Sequence, residues 1–329
     1  MSLSVVHQTT GSQVTLSEAN DRYLAPLSQR FGRRFREYRE RWALAEKRAY
    51  LGRFPLSLDL ALNSGCQSRC PMCPLPARPE AKKRLSWPAA LYARVLAEAR
   101  EHALPALTLG LGGEPLLDPQ TPKRVHQAVQ AGIMDIRLGT NGRLLTGPVI
   151  EALIDSGLTR LEISIDAVEP ATYRAIRGGR LESLEKRIEL FLEKRAQAHS
   201  PWPLLRVSFL RLPQNQGQLA RFLQRWRDVA DLISIQRPIW FPGSKLPAPK
   251  TKTVQTVPCG QPWQRLAIYF DGSVWPCCSW YGEKLLPQNV KTASVSQIWL
   301  SKELRGLRQS LLMSRAPVAC LDCARAGAF

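Results

Sequence analysis

Cys66, Cys70 and Cys73 fall within the eight-residue stretch CQSRCPMC. Three thiolates in one short loop can hold three corners of an iron–sulfur cubane, a cluster ordinarily ligated by cysteine. The fourth iron then has no protein ligand in the loop and is free to take another molecule. Structural zinc is the competing chemistry, since it also uses C-x2-C pairs, but it wants four closed ligands. The other five cysteines are Cys259, Cys277, Cys278, Cys320 and Cys323. They read as one Cys, a hairpin, Gly272-x4-Cys277, a helix and Cys320-x2-Cys323. Four thiolates from such separated segments would close a second cluster, or a zinc ion, and staple a segment of about 70 residues.

Short apolar runs alternate with longer helical stretches from Pro55 onward. Strands are expected at 57–63, 106–111, 135–140, 160–166, 204–212 and 231–236. Helices are expected between them, at 87–100, 121–131, 148–156, 171–176, 184–196 and 219–229. Six such units imply a parallel sheet with helices outside and right-handed crossovers. The fold class is therefore α/β, a partial (β/α)6 TIM-like barrel with a small C-terminal α+β domain. Ligands of such sheets gather at the C-terminal ends of the strands. The three-cysteine loop directly follows the first of the six strands.

Four segments are expected: a basic helical extension at 1–53, the partial barrel at 54–241, a Pro-, Lys- and Thr-rich linker at 242–258, and the second cysteine domain at 259–329. Within the extension, residues 1–20 read as polar and frayed. Residues 21–51 read as one or two helices, with Leu24, Leu27, Phe31, Phe35, Tyr38, Trp42 and Leu44 recurring at helical steps. In the last domain, RLAIYF, Asp271-Gly272 and SVWP give a β-hairpin signal, and one helix is expected from about 295 to 312.

The C-x3-C-x2-C loop at this place in this pattern resembles the signature of the radical S-adenosylmethionine (SAM) superfamily, and the resemblance spans roughly residues 55–329. It implies a 4Fe–4S cluster on Cys66, Cys70 and Cys73 whose open iron binds SAM. Reductive cleavage of SAM then gives a 5′-deoxyadenosyl radical that removes hydrogen from an unactivated C–H bond. One departure is Met72, where the family often has an aromatic residue.

Gly112-Gly113-Glu114 at the second strand end is similar to the family's GGE motif, which implies a hold on the methionyl amine of SAM. Thr140-Asn141-Gly142 is similar to a TNG stretch of open role; its simplest reading is a turn. Ser164-Ile165-Asp166 resembles the family's S-[IL]-D, implying that Ser164 contacts SAM's carboxylate or ribose and that Asp166 acts nearby. Arg177 resembles an arginine that pairs with the SAM carboxylate; a surface arginine is the alternative. Asn215, just past the fifth strand, reads as a loop cap, with a place at the same mouth as the alternative.

The second cysteine set resembles the SPASM and twitch auxiliary domains. No cysteine follows Cys323, so the likeness is to the shorter twitch form with one auxiliary 4Fe–4S cluster, ligated by Cys259, Cys277, Cys320 and Cys323. Cys278 is left over, either as a hydrogen-atom donor to a substrate radical or as a small packed residue. The resemblance also implies a flavodoxin- or ferredoxin-like electron donor, and a substrate pocket at the strand ends roofed by the auxiliary domain.

The expected substrate is a sugar-like molecule, an aminoglycoside or another small metabolite, or a peptide. Oxidation is the leading reaction, with epimerisation through Cys278 or ribosomal-peptide modification as alternatives. The formal charge of +19 over 329 residues favours an acidic partner. Residues 22–53 alone hold ten basic and three acidic side chains, which a solvated helical face also explains. A zinc-stabilised nucleic-acid-binding protein is the rival from another class. It accounts for the charge and the cysteines but not for the ordered strand-end motifs. No apolar run approaches the roughly 20 residues needed to cross a bilayer, and no signal-peptide pattern opens the chain. A cytoplasmic, reducing location is therefore expected, where cysteines serve as metal ligands more often than as disulfides.

Overall fold

A computed structural model describes residues 6–8, 18–77, 81, 85–248, 256–280 and 285–325. Six parallel strands stand side by side in chain order: β2 (Ser57–Leu60), β3 (Ala106–Leu109), β4 (Asp135–Thr140), β5 (Arg160–Ser164), β6 (Leu204–Leu210) and β7 (Leu232–Gln236). The crossovers are α2 (Ala89–Glu101), α3 (Thr121–Gln130), α4 (Gly147–Asp155), α5 (Pro170–Arg177), α6 (Leu181–Gln197) and α7 (Leu219–Trp226). Each strand end lies within a few residues of the sequence expectation.

Every second strand residue points outward and is aliphatic or aromatic: Leu58 and Leu60, Leu107 and Leu109, Ile136 and Leu138, Leu161 and Ile163, Val207 and Phe209. All are at most 1% exposed and belong to one core cluster under the helices. The intervening positions face the barrel interior and are polar or small, among them Thr108, Arg137, Glu162, Arg206 and Gln236. A parallel sheet buried on both faces reads as continuous apolar runs; alternation here marks a polar interior.

The sheet has nine strands, three more than expected. β1 (Val6–Gln8) pairs in parallel with β7, so part of the segment read as frayed adds to a sheet edge. The rest of residues 1–17 lies outside the described residues. At the other edge, β8 (Arg265–Ile268) pairs in parallel with β2 and in antiparallel fashion with β9 (Val274–Trp275). The expected hairpin therefore forms, and it extends the barrel sheet. Gly272 takes φ +82° in its turn, and Asp271 Oδ1 accepts from Ser273 N at 3.0 Å. Residues 249–255 of the expected linker are outside the described residues.

α1 (Glu18–Glu46) is kinked at Gly32, where φ is +56°. Its Leu27, Phe35, Tyr38, Trp42 and Ala45 are buried, whereas Leu44, expected on the same seam, is 47% exposed. Arg33, Arg34, Arg36 and Arg41 remain exposed. The helix reaches the N-terminal ends of the strands. There Tyr38, Arg39 and Trp42 close the barrel interior, and Trp42 O accepts from Gln264 of α8 (Gln261–Gln264). The single helix expected over 295–312 is two, α9 (Val295–Trp299) and α10 (Lys302–Leu312). The break falls at Ser301, whose hydroxyl caps α10 by accepting from Leu304 N. α11 (Val318–Arg325) ends the described chain. Among the described residues no helix is long and apolar enough to cross a membrane.

Candidate active site

Cys66, Cys70 and Cys73 face a cavity of about 470 Å³ that runs down the barrel interior. Asn63 fixes the loop that carries them. Its amide donates to Glu114 O at 2.7 Å and accepts from Gly65 N at 2.9 Å, while Glu114 N donates to Gly65 O at 2.8 Å. This stitching requires Gly113, since a Cβ there would lie 2.5 Å from Asn63 O and 2.9 Å from Gly65 O. Gly112 and Gly113 both line the cavity.

Glu114 joins two strand ends. Its carboxylate accepts from Thr140 Oγ1 at 2.6 Å, Asn141 N at 2.8 Å and Leu116 N at 3.2 Å. Burial pushes its carboxyl up from the ordinary value, and these donors only partly offset that. A carboxylate offers about four acceptor positions, so one remains for a donor in the cavity. The Thr140-Asn141-Gly142 stretch thus gains a definite task. Asn141 also donates to Cys66 Sγ at 3.7 Å and accepts from Gln67 at 3.1 Å.

Arg177 is an interior residue, with its side chain 16% exposed. It donates to Asp166 through Nε at 2.5 Å and points Nη1 at Cys70 Sγ, 3.8 Å away. Burial opposes the guanidinium charge, yet the facing Asp166 carboxylate pushes Arg177 up. Asp166 is fully buried and does not reach the cavity. Its second oxygen accepts from Leu210 N at 2.7 Å, and its carbonyl accepts from Asn215 at 2.7 Å. The expected position of Asp166 near a ligand therefore becomes a position behind Arg177. Asn215 ties the loop after β6, accepting from Leu212 N at 2.7 Å and donating to Leu210 O at 2.8 Å, without a side-chain cap bond to the following turn. Ser164 lines the cavity from the end of β5.

The second cysteine set lies at the opposite end of the strands from the first. β8 starts at Arg265, paired with Ser57 at the N-terminal end of β2, and Cys259 precedes it. β9 returns to the same end, with Trp275 opposite Ala267, and Cys277 follows. The expected roof over the strand C-termini is therefore a floor under their N-termini. At the C-terminal end the hairpin contributes Tyr269, 3.1 Å from where a Gly112 Cβ would stand. Burial raises the Cys277 thiol, and it also feels Cys278, Cys259, Cys323 and Cys320. Cys278, unlike its neighbour, lines the barrel cavity, beside Arg265. Burial also lifts Cys73 to about 11, and Cys259 and Cys320 to about 12. Metal loading must therefore release protons.

The donor chemistry suits clusters in both places. Three thiols face a cavity at one end, and four more gather around Cys277 at the other. A closed zinc site would draw on the same four cysteines at the second place, whereas the first set offers three. A model of the radical SAM superfamily matches residues 61–197, and one of the iron–sulfur cluster-binding domain SPASM matches residues 259–324. The chain belongs to the radical SAM superfamily. Its cofactors are a SAM-binding 4Fe–4S cluster, an auxiliary 4Fe–4S cluster and SAM.

A probable GTP 3′,8-cyclase of Methanococcus maripaludis strain C6 is 30% identical over 185 residues, 56% of this chain and 59% of that one. The chain thus matches about three-fifths of the length of that curated relative. Streptococcus suis SuiB bound to S-adenosylmethionine superposes with a TM-score of 0.65 at 16% identity, covering 86% of this chain and 73% of that one. BtrN in complex with AdoMet and 2-DOIA gives 0.51 at 15% identity, covering 78% and 86%. At such identities these structures establish the fold.

The charged barrel interior escaped the sequence reading. Its signal was the polar residue at every second strand position, as in L-D-L, I-R-L and L-E-I.

Proposed function

We propose that this radical SAM enzyme oxidises a small anionic substrate, a sugar-like or other metabolite, held in the barrel channel between the two cysteine sets. The observation that carries this reading is the channel itself, which carries Arg137, Glu162, Arg206 and Arg265 along its wall and is bounded by Cys66, Cys70 and Cys73 at one end and Cys278 at the other. Cys66, Cys70 and Cys73 hold the SAM cluster. Glu114 accepts from the methionyl ammonium of SAM, Arg177 pairs with its carboxylate, and Ser164 and the Gly112-Gly113 backbone border the rest. Asp166 positions Arg177. Cys259, Cys277, Cys320 and Cys323 hold the auxiliary cluster.

When bound, the cluster and SAM supply a reductively generated radical that can remove a hydrogen atom from an unactivated C–H bond. The chain's own walls fix which carbon is presented and keep water away from it. Four thiols close the second site with protein ligands, so substrate is held by the channel. A flavodoxin- or ferredoxin-like protein supplies the electron. The relative's name, GTP 3′,8-cyclase, is that of an enzyme acting on a nucleotide, which agrees with an anionic substrate.

A second reading is favoured by Cys278, whose side chain lines the channel although the adjoining Cys277 does not. A thiol there donates a hydrogen atom to a substrate radical to give an epimer, and the thiyl left on Cys278 is returned to the thiol by one electron from the flavodoxin- or ferredoxin-like donor and one proton from solvent. Incubating the reduced enzyme with SAM and candidate metabolites distinguishes the reactions by mass. A loss of two daltons means oxidation. No mass change in ordinary water, with one deuterium taken up from heavy water (a gain of about one dalton), means epimerisation. An unchanged mass without deuterium means rearrangement, which contradicts both readings.

A further inference from the structure

Inward side chains at successive levels of the channel form a band of alternating charge, stepped by two residues between Glu162 and Arg137 and again between Asp59 and Arg265. Arg206 on β6 faces Glu162 on β5, followed by Arg137 on β4, Asp59 on β2 and Arg265 on β8. Arg137 donates to Glu162 at 3.0 Å, Arg206 Nε lies 3.8 Å from the same carboxylate, and Arg265 donates to Asp59 at 3.0 Å. Three guanidiniums against two carboxylates leave one positive charge over. Asp59 does not line the cavity, whereas all three arginines do. Toward the cavity the imbalance is therefore larger.

Arg206 and Arg265 are 3% and 9% exposed, and the Nε–H of each is buried without a hydrogen-bond partner. Buried donors in folded proteins are nearly always satisfied, and an orphan needs a reason. With the Nε of Arg160, whose Nη2 is paired with Asp135, three such orphans belong to cavity-lining cations whose planar forks suit a two-oxygen acceptor. Beside and above this charged band, toward the three-thiol loop, the cavity is lined by Gly139, level with Glu162, and by Gly110 and Ser164. Small side chains there leave room for the body of a substrate whose charged end sits lower down.

We infer that Arg137, Arg206 and Arg265 form an oxyanion subsite that takes a carboxylate or phosphate group of the substrate and so sets how deep the substrate sits. Glu162 is the built-in competitor for two of these cations. The subsite rests on the reading of the channel as the substrate chamber. A neutral substrate would leave the orphaned donors unpaired, and the channel would discriminate against it.

The test uses the cluster-loaded protein, unreduced and saturated with SAM so that SAM's carboxylate occupies its own place. Equilibrium dialysis measures binding of inorganic phosphate in one arm and malonate in the other, and the tighter arm names the oxyanion. One site per chain is expected. Arg206→Gln weakens binding about tenfold or more, and Arg206→Lys, which keeps charge and volume, weakens it less. Glu162→Gln frees two guanidiniums and tightens binding, a gain that a merely structural role would not produce. An exposed-residue control, Arg33→Gln, changes nothing.

Absence of binding by the unaltered protein in both arms overturns the subsite, as does binding that is unchanged in Arg206→Lys and Glu162→Gln. SAM cleavage by the reduced enzyme is measured alongside. Cleavage that persists while anion binding is absent removes the subsite alone, whereas loss of cleavage speaks against the enzyme reading itself.

Discussion

Replacing Asp166 with Asn removes one charge and little else. Asp166 sits at φ +66°, a left-handed conformation that Asn tolerates well. An amide oxygen can still accept from Leu210 N, now 2.7 Å from the carboxylate. What disappears is the ion pair with Arg177, whose partners are 0% and 16% exposed. Breaking a buried pair typically costs about 3–5 kcal/mol, and the slight exposure of Arg177 argues for the low end. A loss of about 3 kcal/mol lowers Tm by roughly 6–12 °C. Arg177→Gln alone should cost a similar amount by leaving Asp166 buried and unpaired. The double variant should recover about 1.5 kcal/mol or more of the summed losses. Melting followed by tryptophan fluorescence at one fixed scan rate, with cluster content matched, measures all four proteins. Arg177 also points at Cys70 Sγ, so Asp166→Asn should raise KM for SAM more than it lowers kcat. An unchanged Tm in Asp166→Asn, or strictly additive losses, would refute the reasoning.

Three further outcomes follow from the geometry. Gly113→Ala forces a Cβ to within 2.5 Å of Asn63 O; such overpacking costs about 1–3 kcal/mol, and iron bound per chain should fall because the cysteine loop is displaced. Burial alone would raise the Glu162 carboxyl, yet Arg206, Arg137 and Arg160 hold it below its ordinary value of 4.5. Its stabilising effect is complete above that value and fades as pH falls through the lower folded value, so urea midpoints of unaltered protein and Glu162→Gln should converge on acidification. Arg48 donates to Leu311 O at 3.2 Å and to Val257 O, and stacks over Trp263; Arg48→Met should cost about 1–3 kcal/mol and expose the 256–264 segment to limited proteolysis.

The strands were legible because each outward row is a run of Leu, Ile and Val at every second position, bounded by Gly, Pro or Asn. The cysteine loop was legible because its spacing is short and its place after a strand is distinctive. Other features depend on distant partners. Val6–Gln8 becomes a strand only because β7 presents an open edge. The end of the barrel at which the second cysteine set falls depends on the parallel pairing of β8 with β2, which no local pattern declares. Asn63 read as the end of a strand and Asn141 as a turn residue, and their service to Glu114 and Cys66 appears only when three strand ends are brought together. The helix over 295–312 was overextended because its apolar spacing continues across Ser301. The cap interrupts the backbone while the packing of Ile298, Leu304 and Leu307 goes on.

The central claim is that one of two clusters, and only one, leaves an iron open to SAM. Electron paramagnetic resonance of the reduced protein during a SAM titration tests it directly. Two reduced-cluster signals are expected, of which SAM perturbs one. Cys66→Ala should lose the SAM-sensitive signal together with SAM cleavage, and Cys320→Ala should keep both. A SAM response that survives Cys66→Ala, or a titration that perturbs neither signal, would contradict it.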